Sequence, residues 1–130
     1  MRVSYLRALT VLHQTFSSRP LAARAHILGR FLTCPFLRTL KHVPEGGRVL
    51  DIGAGHGTFA RLAIEAGAAS VVAVEPDVRK ALAPPVHPRV RAVAAFDDAV
   101  IGEFELVTMF DVLYRVPRGE WDELFRRLWA

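Results

Sequence analysis

The sequence predicts an α/β fold: a mostly parallel sheet with flanking helices, preceded by N-terminal helices. Three observations carry this. After residue 44, apolar strand-like runs alternate with a helical stretch. Two of those runs, Val71-Val72-Ala73-Val74 and Leu106-Val107-Thr108-Met109-Phe110, lack the polar alternation of a strand with one wet face, as expected of strands covered on both sides. Between the first and second runs, a strand turns through Gly53, Gly55 and Gly57 into a helix.

In chain order, a first helix is read over residues 3–14. A second is read over residues 19–32, where Leu21, Ala25, Leu28 and Leu32 recur at helical spacing after the start signals Ser17-Ser18-Arg19-Pro20. Pro35 and Pro44 punctuate the next stretch. The turn-rich Pro44-Glu45-Gly46-Gly47 sets a boundary, dividing a helical cap (residues 1–43) from the strand-containing region (residues 44–130). Strands are expected over residues 48–52, 70–75, 90–95 and 104–110, with a helix over 58–66. Last comes an amphipathic helix whose apolar stripe is Trp121, Leu124, Phe125 and Leu128. Its acids Glu120, Asp122 and Glu123 stand at the start and Arg126 and Arg127 near the end, which suits the helix dipole.

Composition narrows the class. With 130 residues and 52% hydrophobic side chains, the chain suffices for one globular domain with a real core. Cys34, the single cysteine, cannot form an internal disulfide, and no Cys/His cluster has metal-ligand spacing. A reducing, cytoplasmic location without a metal is expected. No apolar run approaches the ~18 residues of a membrane span. Charge is uneven: residues 1–48 carry +7 and residues 49–130 carry −3. The basic segment has the composition of a transit peptide, of a surface that meets anions, or of a plain basic helical face.

The chemistry concentrates in Asp51-Ile52-Gly53-Ala54-Gly55-His56-Gly57-Thr58. Glycine there admits positive φ and close ligand approach, and the free N–H groups opening the next helix favour electron-rich groups. A tight turn with no ligand would select the same residues, so two acids sharpen the reading. Asp51 precedes Gly53 by two residues, at the end of its strand, where it can balance a cationic ligand. Glu75 ends the next strand, eighteen residues after Gly57, where a carboxylate can accept from both hydroxyls of an adenosine ribose.

These residues resemble the class I S-adenosylmethionine-dependent methyltransferases, whose D-x-G-x-G-x-G motif matches Asp51 to Gly57. The family's ribose acid looks like Glu75 in Val71-Val72-Ala73-Val74-Glu75-Pro76-Asp77, and its fourth strand looks like residues 104–113. The resemblance covers residues 44–130 and implies a Rossmann-like sheet. It implies S-adenosylmethionine as cofactor, with Asp51 and the backbone at Gly53 and Gly55 holding its methionine portion, Gly57 also cofactor-binding, and Glu75 at its ribose. An acid after the third strand contacts adenine in the family. Asp97 is the candidate here, although an ungapped match puts Phe96 at that place and leaves Asp98 as an alternative. A nicotinamide dinucleotide site fits less well, because G-x-G-x-x-G needs glycine where Thr58 stands and an apolar residue where Asp51 stands.

The resemblance also implies seven strands in the order 3-2-1-4-5-7-6, of which four are found. The chain is therefore expected to be truncated after about the fourth strand, whose open edge would favour self-association or a completing partner chain. Two functions from different classes fit. One is a methyltransferase, of which this is the cofactor-binding half, acting on a small-molecule or lipid-like acceptor. The other is a non-catalytic truncated or accessory module that binds the cofactor; an oxidoreductase fragment ranks below both. Aromatic residues Tyr5, Phe16, Phe31 and Phe36 fall at core-like intervals, which disfavours nucleic acid. No catalytic residue is assigned. Asp111 and Tyr114, after the fourth strand, are placed to meet an acceptor, and His56 lies in the loop itself. Finally, residues 98–103 are short for a parallel crossover, so either the chain crosses extended or the third strand frays.

Overall fold

A computed structural model of the chain describes residues 3–77, 86–95, 102–110 and 117–129. Helix α1 (Tyr5–Phe16) starts at Ser4, whose hydroxyl accepts the Arg7 amide at 3.1 Å. It buries Ala8, Val11, Leu12 and Phe16, the stripe its spacing dictates. Helix α2 (Leu21–Thr33) follows Pro20 and buries Ile27 and Phe31, leaving Leu21 and Leu32 exposed. An apolar groove of about 500 Å³, lined by Leu9, Leu12, Phe16, Leu21, Ile27 and Leu28, lies between α1 and α2. A short α3 (Phe36–Leu40) comes next, where the sequence pattern shows only proline punctuation. Pro35 directly precedes it, and a proline at a helix start removes no intrahelical hydrogen bond.

The strands are β1 (Arg48–Ile52), β2 (Ser70–Val74), β3 (Val90–Val93) and β4 (Leu106–Met109), with α4 (Thr58–Glu65) between the first two. They form one parallel sheet in the order β3-β2-β1-β4, as the α/β reading expects. A 3₁₀ turn, Arg118–Glu120, leads into α5 (Trp121–Trp129). Strand β3 ends two residues short of its expected limit, and Ala94 and Ala95 are exposed. Among the described residues β3 and β4 are the two edges.

Pairing register divides the sheet's side chains. Val49, Val71 and Ala73 enter the larger core with α1, α2, α3 and α4. Leu50, Ile52, Val72 and Val74 point the other way, against Val107, Met109, Phe104 and Leu128 of α5. The N-terminal helices thus share one core with the first two strands. Helix α1 is tied to α4 by Arg7, which meets Glu65 at 2.6 Å. Helix α5 buries none of its residues fully, and Phe125 and Trp129 stay exposed. Among the described residues no helix is long and apolar enough to cross a membrane.

Three phenylalanines lock the helices to the sheet end. The rings of Phe36, Phe59 and Phe110 lie 4.7 to 5.7 Å apart in tilted and edge-on pairs. Phe59, on α4, is 1% exposed and central to the trio. Phe59→Ala is expected to cost roughly 3–5 kcal/mol of stability, read by urea unfolding; a loss below ~1 kcal/mol would mean that the trio is not packed as described.

Candidate functional site

The loop joining β1 to α4 is shaped by backbone that only glycine adopts readily. Gly53, Gly55 and Gly57 have φ of 74°, 60° and 87°. Gly57 opens α4, and a Cβ there would lie 3.1 Å from Val86. The loop folds over the end of β2: the amides of Gly53 and Ala54 both donate to the Val74 carbonyl, at 2.8 and 2.9 Å.

The two acids lie at this junction, on the same face of the sheet. Asp51 is level with Ala73 and Thr108 in the pairing register, and Glu75 falls two residues beyond Ala73 on a chain that still donates its amide to Val93. Glu75 Oε1 accepts the Gly55 amide at 2.7 Å and Oε2 accepts the Asp77 amide at 2.9 Å. Its carboxylate therefore orders the loop, and each oxygen retains a second acceptor position. Asp51 is 1% exposed, and its Oδ1 accepts from the Thr108 hydroxyl at 2.9 Å. Burial pushes its carboxyl up to about 7; the Thr108 hydrogen bond and the positive charge of Arg30 oppose that, while the negative charge of Glu75 adds to it.

Arg30 is the site residue that the sequence alone does not mark. It lies on α2, far from the loop in sequence, yet its guanidinium bridges the site: Nη2 donates to the Phe110 carbonyl at 3.3 Å, and Nη1 sits 3.0 Å from where a Cβ on Gly55 would be. The Phe36 ring lies beneath it, 5.7 Å away. One helical turn earlier, the His26 ring meets His56 of the loop edge-on at 5.6 Å. Periodicity alone marks His26 and Arg30 as one face of α2, four residues apart, but does not tell which loop that face meets. Thr108, a strand residue by its sequence pattern, carries the hydrogen bond to Asp51.

Asp51, Gly53, Gly55, Gly57 and Glu75 are thus brought together, with His56 beside them. Asp97 lies outside the described residues, as do Phe96, Asp98, Asp111 and Tyr114. Cys34 is buried. Among the described residues no group of three or more His, Cys, Asp or Glu side chains has the arrangement to hold a metal ion.

The junction offers acceptors at both ends and bare backbone between them. That suits a ligand with hydroxyls at one end and a cationic nitrogen at the other.

Comparison with known proteins bears on the fold and the family. A family model described as "Methyltransferase domain" matches residues 24–130. Magnesium protoporphyrin IX methyltransferase from Synechocystis, solved with bound SAH, is similar over 92% of this chain and 60% of its own, with 16% identity and a TM-score of 0.54. An S-adenosylmethionine-dependent methyltransferase from Mesorhizobium loti is 25% identical, over 56% of this chain and 37% of its own, with a TM-score of 0.42. A search of curated protein sequences finds no significant match. This chain spans from about a third to three fifths of the length of the solved structures it matches. With the family model covering most of its residues and the strand order in agreement, the chain belongs to the methyltransferase-domain family, class I and S-adenosylmethionine-dependent.

Proposed function

We propose that this chain carries the cofactor-binding part of an S-adenosylmethionine-dependent methyltransferase that acts on a small-molecule or lipid-like acceptor. The observation that carries the reading is the shared placement of Asp51 and Glu75 on one sheet face, with Glu75 bonded to the loop between them. Residues 44–130 hold the cofactor in this reading and the helices of residues 1–43 cap it, with Asp97 as the adenine contact.

Bound there, S-adenosylmethionine supplies a methyl group on a sulfonium centre, ready for in-line displacement. The chain's own task is alignment and exclusion of water. Glu75 accepts from the ribose hydroxyls with the acceptor positions that Gly55 and Asp77 leave open. Asp51, once ionised, accepts from the ammonium, and Thr108 fixes its orientation. The loop amides and the absence of Cβ atoms let the backbone close against the nucleoside. Phe16, Phe31 and Phe36 lie in the core, where they cannot stack on bases, which supports a small acceptor over nucleic acid.

Calorimetric titration with S-adenosylhomocysteine and, separately, with NAD tests the reading. Saturable binding of the first and none of the second is expected. The reverse preference would overturn it in favour of a dinucleotide site.

A further inference from the structure

The groove between α1 and α2 plays no part in the junction at the glycine loop. At 3.6 residues per turn, Leu21, Arg24 and Leu28 form a row on the side of α2 roughly opposite His26 and Arg30, which meet that loop. The groove's floor is closed, because Leu12, Phe16 and Ile27 are buried. Its walls are open: Leu21 is 78% exposed and Leu28 47%. Water therefore meets a continuous apolar trough rather than scattered side chains, a feature that marks a binding surface. Its volume of about 500 Å³ is that of a small-molecule pocket.

Charge identifies the occupant. Arg24 and His13 are the polar side chains of the lining, and both are exposed at the rim. A further cation, Arg19, stands over the ring of Phe16, 5.8 Å from its centre. No Asp or Glu precedes Glu45, so neither helix supplies an acid to offset these charges. We infer that the groove binds a single-chain anionic amphiphile of the fatty-acid class, with its tail against Leu12, Phe16 and Ile27 and its carboxylate at Arg24. The tail leaves water for apolar surface, and the head meets a positive field. A second copy docked by the same face would bring cation against cation, which disfavours it. The site goes beyond the cofactor reading and does not rest on it. It also gives the basic N-terminal segment a ligand.

Laurate, a straight-chain carboxylate, is the probe, titrated below its micelle concentration into the full chain without cofactor and followed by amide NMR. Saturable binding is expected, with the largest shifts at Leu12, Phe16, Leu21 and Leu28. Butyrate has the head without the tail and should leave those amides unmoved. Dodecyltrimethylammonium has the tail with the opposite charge and should bind about fivefold more weakly than laurate. Arg24→Glu is expected to reverse the order of the two long-chain ligands, and Leu28→Ser to weaken both about tenfold. Both substitutions fall at exposed positions, where the fold tolerates them. Equal affinity for the two long-chain ligands, no saturable laurate binding, or laurate binding that neither variant alters would each overturn the inference. Groove amides that move with protein concentration but not with laurate would assign the face to a second copy instead. Movement with anionic vesicles but not with free laurate would assign it to a membrane surface, and either result overturns the inference too. With no cofactor present, none of these outcomes depends on whether S-adenosylhomocysteine binds.

Discussion

Asp51→Asn is expected to raise the stability of the unliganded chain by an amount that grows with pH, and to remove most of its affinity for S-adenosylhomocysteine. The asparagine keeps an oxygen for the Thr108 hydroxyl and removes the ionisation. In the unfolded chain the Asp51 carboxyl titrates near its ordinary 3.8; in the folded chain burial lifts it to about 7. Below the unfolded value both states are protonated, and Asp51 costs folding nothing. As pH rises toward 7, unfolding releases a proton that the folded state holds, so the parent loses stability through that window. Above about 7 the loss is complete, on the order of 4 kcal/mol. Melting temperatures of parent and variant should therefore diverge from pH 4 to pH 7 and run parallel above it. A gap independent of pH would show that Asp51 is not buried as an acid. Binding carries the opposite requirement, because an ammonium needs the ionised form. Affinity of the parent for S-adenosylhomocysteine is expected to rise with pH up to about 7, and that of Asp51→Asn to stay flat and at least tenfold weaker.

Glu75→Gln has the second largest expected effect, and it falls on a different part of the ligand. One carboxylate oxygen of Glu75 holds Gly55 and the other holds the Asp77 amide. An amide side chain supplies one acceptor where two are used, and turns its NH₂ toward a backbone donor. Hydrogen bonds to a charged acceptor are worth about 1.5–3 kcal/mol, so affinity should fall roughly 10- to 100-fold. The fall should be equal for S-adenosylhomocysteine and 5′-methylthioadenosine, since both carry the ribose. Unchanged affinity for both would remove Glu75 from the ribose.

The same residues mark what the sequence could and could not convey. Apolar runs such as Val71–Val74 announce covered strands because burial on both faces leaves no room for polar alternation, and the glycine loop is legible because positive φ selects glycine. The limits of β3 are not: Ala94 and Ala95 continue the apolar composition, but an edge strand has one neighbour and stops where that pairing stops. Helix α3 is hidden by Pro35, which reads equally as a turn or as a helix start. The apolar stripe of α5 is legible as a pattern, yet among the described residues only Leu128 finds the sheet's far core. Arg30 is out of reach for a related reason. Its role depends on which way α2 is rotated over a loop more than twenty residues away, and that is decided by the packing of Ile27 and Phe31, not by local propensity.

Asp51 shows a further distinction. Its spacing before Gly53 identifies it as a strand-end acid facing a crevice, and its burial against Thr108 becomes visible only once β4 is placed beside β1. A buried acid costs stability unless a ligand's charge returns the loss, so the acid whose burial opposes folding is also the one argued to define its ligand.

The most direct test is an amide NMR titration of the ¹⁵N-labelled chain with S-adenosylhomocysteine. The largest shift changes are expected on Gly53, Gly55, Gly57 and Glu75, with Arg30 on α2 moving at the same ligand concentrations. Changes confined to the apolar groove between α1 and α2, with those glycine amides unmoved, would contradict a cofactor site at the β1–α4 loop.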